Sequence, residues 1–136
     1  MEKELQEKLI TYRILESRLN SLLKQRDLIT SKLLELQSTL SSINEIEKSQ
    51  EILFPLGSEA YTFGKIIEKN KIILEVGGGI ALEKNLEESK ISLNERRVEF
   101  EKILNETQKN VLEVSSVMDG LGMEIQNLGQ KAEKNV

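Results

Sequence analysis

Two proline-free flanks, each carrying a seven-residue apolar repeat, constrain this 136-residue chain more than any other feature. With Leu5 at position a, the first flank has the a series Leu5, Tyr12, Leu19, Arg26, Leu33, Leu40 and the d series Lys8, Leu15, Leu22, Ile29, Leu36, Ile43. Ten of these twelve positions are apolar, and Leu9 and Leu23 widen the stripe at e positions, which is the pattern of a coiled coil. The last flank repeats it, with the d series Leu86, Leu93, Phe100, Thr107, Val114, Leu121, Leu128 and the a series Lys90, Arg97, Leu104, Val111, Met118, Ile125, Ala132. Eleven of these fourteen are apolar. Asn85 is a candidate N-cap, and Glu88, three residues on, can complete a capping box.

Each predicted helix is roughly 70 Å long at ~1.5 Å per residue. Neither is stable alone with one apolar stripe in water, so the two are expected to pair, and a chain that turns back through a short insert pairs them antiparallel. If residue i faces residue 133 − i, every a position meets a d position: Leu5 faces Leu128, Tyr12 faces Leu121, Leu19 faces Val114, Leu33 faces Phe100 and Arg26 faces Thr107. A shift by one heptad preserves the same matching, so this register is an expectation. Arg26 has two readings: a side chain whose stem packs while its head reaches water, or one half of a polar layer that fixes register.

Between the flanks lies EILFPLGSEAYTFGKIIEKNKIILEVGGGIALEK, residues 51–84. The only proline, Pro55, and five of the eight glycines fall between residues 55 and 79. Strands are predicted at 51–54, 59–67, 71–76 and 79–84. Pro55 and Gly57 mark a turn after the first, the polar EKNK of residues 68–71 reads as a hairpin turn, and Gly77 to Gly79 mark a bend before the last. Thirty-four residues of strand are too few to bury a core, and their free edges invite pairing with other chains. The insert therefore reads as an oligomerisation module. Its candidate assembly residues are Ile52, Phe54, Pro55, Leu56, Gly57, Tyr61, Phe63, Ile66, Ile73, Val76, Gly77, Gly79 and Ile80.

The sequence LEVGGGIALE, residues 74–83, has the strand–glycine–helix order of a phosphate-binding loop. It lacks the spacing. No Lys-Ser or Lys-Thr follows as a P-loop requires, and the third glycine of the dinucleotide fingerprint is replaced by Leu82. The glycines read instead as a bulge or turn needing positive φ. The chain has no His and no Cys, which removes the commonest general base, the thiolate nucleophile and the Cys-type zinc site. Carboxylate pairs such as Glu87-Glu88 read as solvated helix surface. No catalysis, cofactor or metal is expected. A net charge of −4 with interleaved signs argues against nucleic acid. No apolar run reaches the ~20 residues of a membrane span, and the start, MEKELQEKL, lacks a signal core. The default is a soluble cytoplasmic protein.

Two stretches, ILFPLGSEAY (52–61) and VGGGIALEKNLEES (76–89), carry a resemblance. The whole chain resembles the alpha class of prefoldin subunits, most like the archaeal form. The family pattern is an apolar run, P-[apolar]-G, two hairpins, then V-G-x-G-[aromatic]-x-[apolar]-E-[KR] opening the second helix. Ile80 stands where the aromatic is usual and Ser89 where alanine is common. Beta-class subunits carry a single hairpin, so four strands point to alpha. The resemblance implies an α+β fold: a long antiparallel two-helix coiled coil with an inserted two-hairpin module. The segments are 1–48 (first helix), 49–84 (hairpin module) and 85–136 (second helix), one domain overall. It further implies strands of several subunits joined in β-barrels, two alpha and four beta subunits in a hexamer, ATP-independent capture of unfolded proteins and their transfer to a group II chaperonin. The alternative is a structural spacer or filament former.

The antiparallel pairing gathers residues 1–15 and 118–136 at one free end, the tip. Leu5, Leu9, Ile10, Tyr12, Met118, Leu121, Met123, Ile125 and Leu128 are the candidate client-binding residues there. Gly120, Gly122 and Gly129 each cost that helix about 1 kcal/mol relative to alanine, and Met118 and Met123 add adaptable packing. A loosened apolar seam of this kind suits a non-native chain.

Overall fold

The computed structural model describes residues 2–134; Met1, Asn135 and Val136, which the expected helices and tip include, lie outside the described residues. The order is helix α1 (Glu2–Lys48), strands β1 (Glu51–Gly57), β2 (Ala60–Lys65), β3 (Ile72–Gly77) and β4 (Ile80–Lys84), and helix α2 (Leu86–Lys134). The heptads do what their spacing predicts. All twelve a and d residues of α1 are buried or half-buried, as are those of α2 apart from Ala132.

The chain divides into two compact units. One comprises residues 32–100. Its core joins Leu36 and Ile43 of α1, Leu74 of β3 and Leu86 and Leu93 of α2, with Leu40, Ile46, Ile72 and Phe100 packed against them. The α2 start is capped as expected. The Glu88 amide donates to the Asn85 side-chain oxygen at 2.8 Å, and the Asn85 amide group donates to the Glu88 carboxylate at 2.9 Å. A second cap was not legible in the sequence: the Leu86 amide donates to the side chain of Asn70 at 3.2 Å, satisfying another of the free amides at a helix start.

The other unit comprises residues 1–31 with 101–136, of which 2–31 and 101–134 are described. Ile29, Thr107, Val114 and Met118 are its buried seam residues. Lys8 bonds Glu124 across the two helices at 2.6 Å, and a Cβ built on Gly122 lies 3.8 Å from the Tyr12 ring. Both pairs sit within one residue of the 133 − i register and are incompatible with a shift of a heptad. Arg26 and Thr107 form no hydrogen-bonded layer. The Arg26 guanidinium turns to Asp27 at 3.3 Å, and the Thr107 hydroxyl donates to the Ile103 carbonyl of its own helix at 2.8 Å. Arg26 is therefore not one half of a polar layer; its side chain is partly exposed and its head pairs with the neighbouring Asp27.

The strand pairing corrects two expectations. First, β1 pairs with β2 and β3 with β4, as two separate two-stranded antiparallel ribbons. The 68–71 turn closes no hairpin; it is a local turn in the connection from β2 to β3, held by the Lys71 amide on the Glu68 carbonyl. Ile66 and Ile67 lie beyond β2, although the Ile66 amide still bonds the Gln50 carbonyl. Second, β1 does not stop at residue 54. It runs through Pro55, opposite Tyr61, to Gly57. A proline is tolerated because each strand of a two-stranded ribbon has an unpaired edge, where its missing donor costs no ladder bond.

The real turns are Ser58-Glu59 and Gly78-Gly79. All four residues have positive φ, at 51°, 63°, 62° and 75°, the signature of the two-residue turn that matches strand twist. In each ribbon the register slips just before the turn, between Pro55 and Gly57 and between Glu75 and Gly77. Gly57 (φ 100°) and Gly77 (φ 103°) occupy these bulges, in a region that side chains hardly enter. The triple glycine is thus one bulge residue and a two-residue turn.

Candidate assembly surface and tip

Burial decides what the two ribbons can do. β3–β4 is docked. Leu74 is 7% exposed in the core, Arg96 donates to the Glu75 carbonyl, and Lys84 donates to Ser92 at 2.8 Å. β1–β2 has no such anchor: of its residues, only Ile52 and Gly64 are even half-buried. Leu53 and Phe63 face each other across the ladder, and Phe63 is 82% exposed. On the other face the Phe54 ring lies over Gly64, where an added Cβ would meet it at 2.3 Å. Gly64 is therefore a packing glycine, a role the sequence did not signal.

Ten of the twenty exposed large apolar side chains among the described residues lie between Leu53 and Leu82. Exposed apolar side chains are concentrated in this stretch more than elsewhere among the described residues. Of the expected assembly residues, Phe54, Leu56, Tyr61, Phe63, Ile73, Val76 and Ile80 are exposed, and Ile52 and Ile66 are half-buried. Pro55, Gly57, Gly77 and Gly79 shape the ribbons around them. Leu53, Ile67 and Leu82 belong to the same exposed set and were missed because they fell on no clear alternation. Between the last turns of α1 and β1–β2 runs a cleft of about 670 Å³, with Ser38, Ser42 and Ile46 on one side and Leu53 and Phe63 on the other.

The tip is less uniform than its sequence suggests. Met118 is buried, and Leu5, Tyr12, Leu121, Ile125 and Leu128 are half-buried in a closed seam. Leu9, Ile10 and Met123 are exposed, Met123 at 68%, and Ile14 and Val117 join them from outside the expected set. Heptad position explains the split, since a and d residues face the partner helix and the others face water.

The lysines that interrupt the two seams are both paired across the helices, Lys8 with Glu124 at 2.6 Å and Lys90 with Glu47 at 2.5 Å. The hydrogen bond to Glu124 raises the Lys8 pKa against partial desolvation, with the charges of Glu124 and Glu4 adding to it. Glu47 does the same for Lys90. A raised lysine pKa stabilises the fold below the ordinary lysine value and ceases to do so as pH climbs through the raised one, so both pairs persist at neutral pH.

The structure thus joins two long helices paired over heptads to one docked ribbon and one ribbon, β1–β2, that its own chain leaves largely uncovered. The chain belongs to the prefoldin family: the model described as "Prefoldin subunit" matches residues 15–131, and the chain falls with the alpha subunits. It is 29% identical over 133 residues to the prefoldin subunit alpha of Pyrococcus horikoshii, covering 95% of this chain and 90% of that one. It is 32% identical over 101 residues to the prefoldin subunit alpha 1 of Thermococcus kodakarensis, covering 72% and 69%. A solved structure of a filamentous PFD from Methanocaldococcus jannaschii matches with a TM-score of 0.69 at 17% identity, over 83% of this chain and 96% of that one, which shows the fold. No helix among the described residues is long and apolar enough to cross a membrane.

Proposed function

We propose that this chain is the alpha subunit of an ATP-independent holdase. Segment 49–84 joins it to beta subunits, two alpha with four beta, and the paired helix ends capture unfolded proteins for transfer to a group II chaperonin in the cytoplasm. The observation that carries the assembly half is the uncovered β1–β2 ribbon. Two strands with large apolar side chains on both faces are marginal in water and gain most from strands of another chain. The tip half is supported by Leu9, Ile10, Ile14, Val117 and Met123, which present apolar surface beside a seam softened by three glycines.

Deleting residues 1–10 and 124–136 tests the tip. The truncated subunit assembles normally, and its complex loses suppression of a denatured client's aggregation; full suppression by that complex contradicts the reading. A second reading, open-ended growth, is favoured by the filamentous neighbour. Light scattering separates the two: a closed particle near the mass of six chains supports the hexamer, and mass rising with concentration supports the filament.

A further inference from the structure

Both strands of ribbon β1–β2 have an edge outside the ladder, and the two edges are not equivalent. The Ile66 amide donates to the Gln50 carbonyl at 2.8 Å, which makes those residues a hydrogen-bonded pair. Antiparallel pairs alternate between bonded and non-bonded. Ile52–Gly64 and Phe54–Thr62 are therefore bonded pairs, and Glu51–Lys65, Leu53–Phe63 and Pro55–Tyr61 are not. Residues of the non-bonded pairs turn their backbone groups away from the ladder. Those of Glu51, Leu53 and Pro55 line the β1 edge, and those of Tyr61, Phe63 and Lys65 line the β2 edge.

The β1 edge is closed by its own residues. At one end the Glu51 amide donates to the Ser49 hydroxyl at 3.3 Å, and that hydroxyl donates to the Glu51 carbonyl at 3.2 Å. At the other end Pro55 has no amide to offer. Between them Leu53 keeps both its groups open. The β2 edge presents three donors and three acceptors in a row, without a partner among the described residues, and Tyr61, Phe63 and Lys65 are all exposed. We propose that β2 is the edge to which another subunit adds a strand, and that Ser49 and Pro55 bar β1 from the same pairing. The proposal rests on the reading of segment 49–84 as the assembly segment. The edge defines its occupant: an extended segment of a partner subunit that spans Tyr61 to Lys65 and bonds through alternate residues. It is apolar on the face of Leu53 and Phe63, and acidic where it passes Lys65, which makes no ion pair among the described residues. A ribbon open on both edges can add strands without limit; one open edge takes one strand and stops.

Amide hydrogen exchange, compared between the isolated chain and the particle formed with co-expressed partner subunits, reads the two edges separately. On assembly the Tyr61, Phe63 and Lys65 amides slow by about tenfold or more as each gains a hydrogen bond, and the Leu53 amide is unchanged. Proline substitution gives a second measurement. Phe63→Pro and Leu53→Pro each delete an outward amide and no ladder bond, and each is compared with the alanine variant at its own site. Beyond the alanine loss, proline at 63 weakens assembly by a further factor of about ten, and proline at 53 adds no loss. Protection at Leu53 with the β2 amides still fast, or equal proline effects at the two sites, overturns the proposal. A particle that forms with none of the four amides protected overturns it too, and leaves the assembly reading standing on the ribbon's apolar faces. Failure of any particle to form overturns both.

Discussion

Ribbon β1–β2 turns on Ser58-Glu59 and ribbon β3–β4 on Gly78-Gly79, each after a one-residue bulge ending at a glycine, yet only β3–β4 sends a side chain, Leu74, into the core. The same local construction thus serves two ends. β3–β4 belongs to its own subunit, fixed by Leu74, Arg96 and Lys84. Among the described residues β1–β2 sends no residue into the buried core, and most of its apolar side chains are exposed, with Ile52 half-buried. Turn and bulge chemistry make a hairpin; the burial of one or two strand residues decides whether it packs into the core of its own chain or is left uncovered.

The strongest way to break this comparison is to exchange the ribbons' roles by truncation. Leu74→Ala removes a buried side chain from the core and costs about 2–5 kcal/mol, seen as a lower denaturation midpoint of the chain. Phe63→Ala, at an exposed site, changes that midpoint by no more than about 0.5 kcal/mol while impairing assembly. Equal losses of chain stability would show that the ribbons are not differently embedded. Backbone strain gives the next largest effect. Gly78→Val forces a β-branched residue to φ 62° and costs about 1–3 kcal/mol, so it damages β3–β4 first, and client capture only as a consequence of failed assembly.

Smaller changes sharpen the contrast upward. Ser58 and Glu59 hold positive φ without being glycine, so the pair Ser58→Asn, Glu59→Gly relieves β1–β2 by about 1 kcal/mol, detectable as slower exchange of its ladder amides. In β3–β4 two glycines already occupy these sites, and no such gain is available. The buried Ser89 hydroxyl has no hydrogen-bond partner among the described residues. Ser89→Ala raises the melting temperature by an amount equivalent to about 1 kcal/mol, whereas an unchanged or lower melting temperature would mean the hydroxyl is satisfied in solution.

What could be read ahead of the structure divides along similar lines. The helices, their antiparallel register and the Asn85–Glu88 cap were legible because heptad spacing and capping chemistry are local and repetitive. Strand pairing was harder. EKNK has turn-like composition, yet the two-residue turns lie at Ser58-Glu59 and Gly78-Gly79, and only the latter advertises positive φ. Pro55 suggested a strand end because the sequence does not reveal that β1 has a free edge. At the tip, residue type marked the apolar set, but heptad position set which members face water: Met118 went inside and Met123 outside. The Asn70 cap and the Phe54–Gly64 stack are contacts between residues with no shared periodicity, so no pattern announced them.

The central claim is that β1–β2 is completed by another subunit. The direct measurement is light scattering on the double variant Leu53→Ser with Phe63→Ser, co-expressed with its partner subunits, with helicity and thermal unfolding recorded in parallel. The predicted result is loss of the assembled particle while helicity and the unfolding of the helical pair are retained. A particle of unchanged mass and concentration dependence would contradict it.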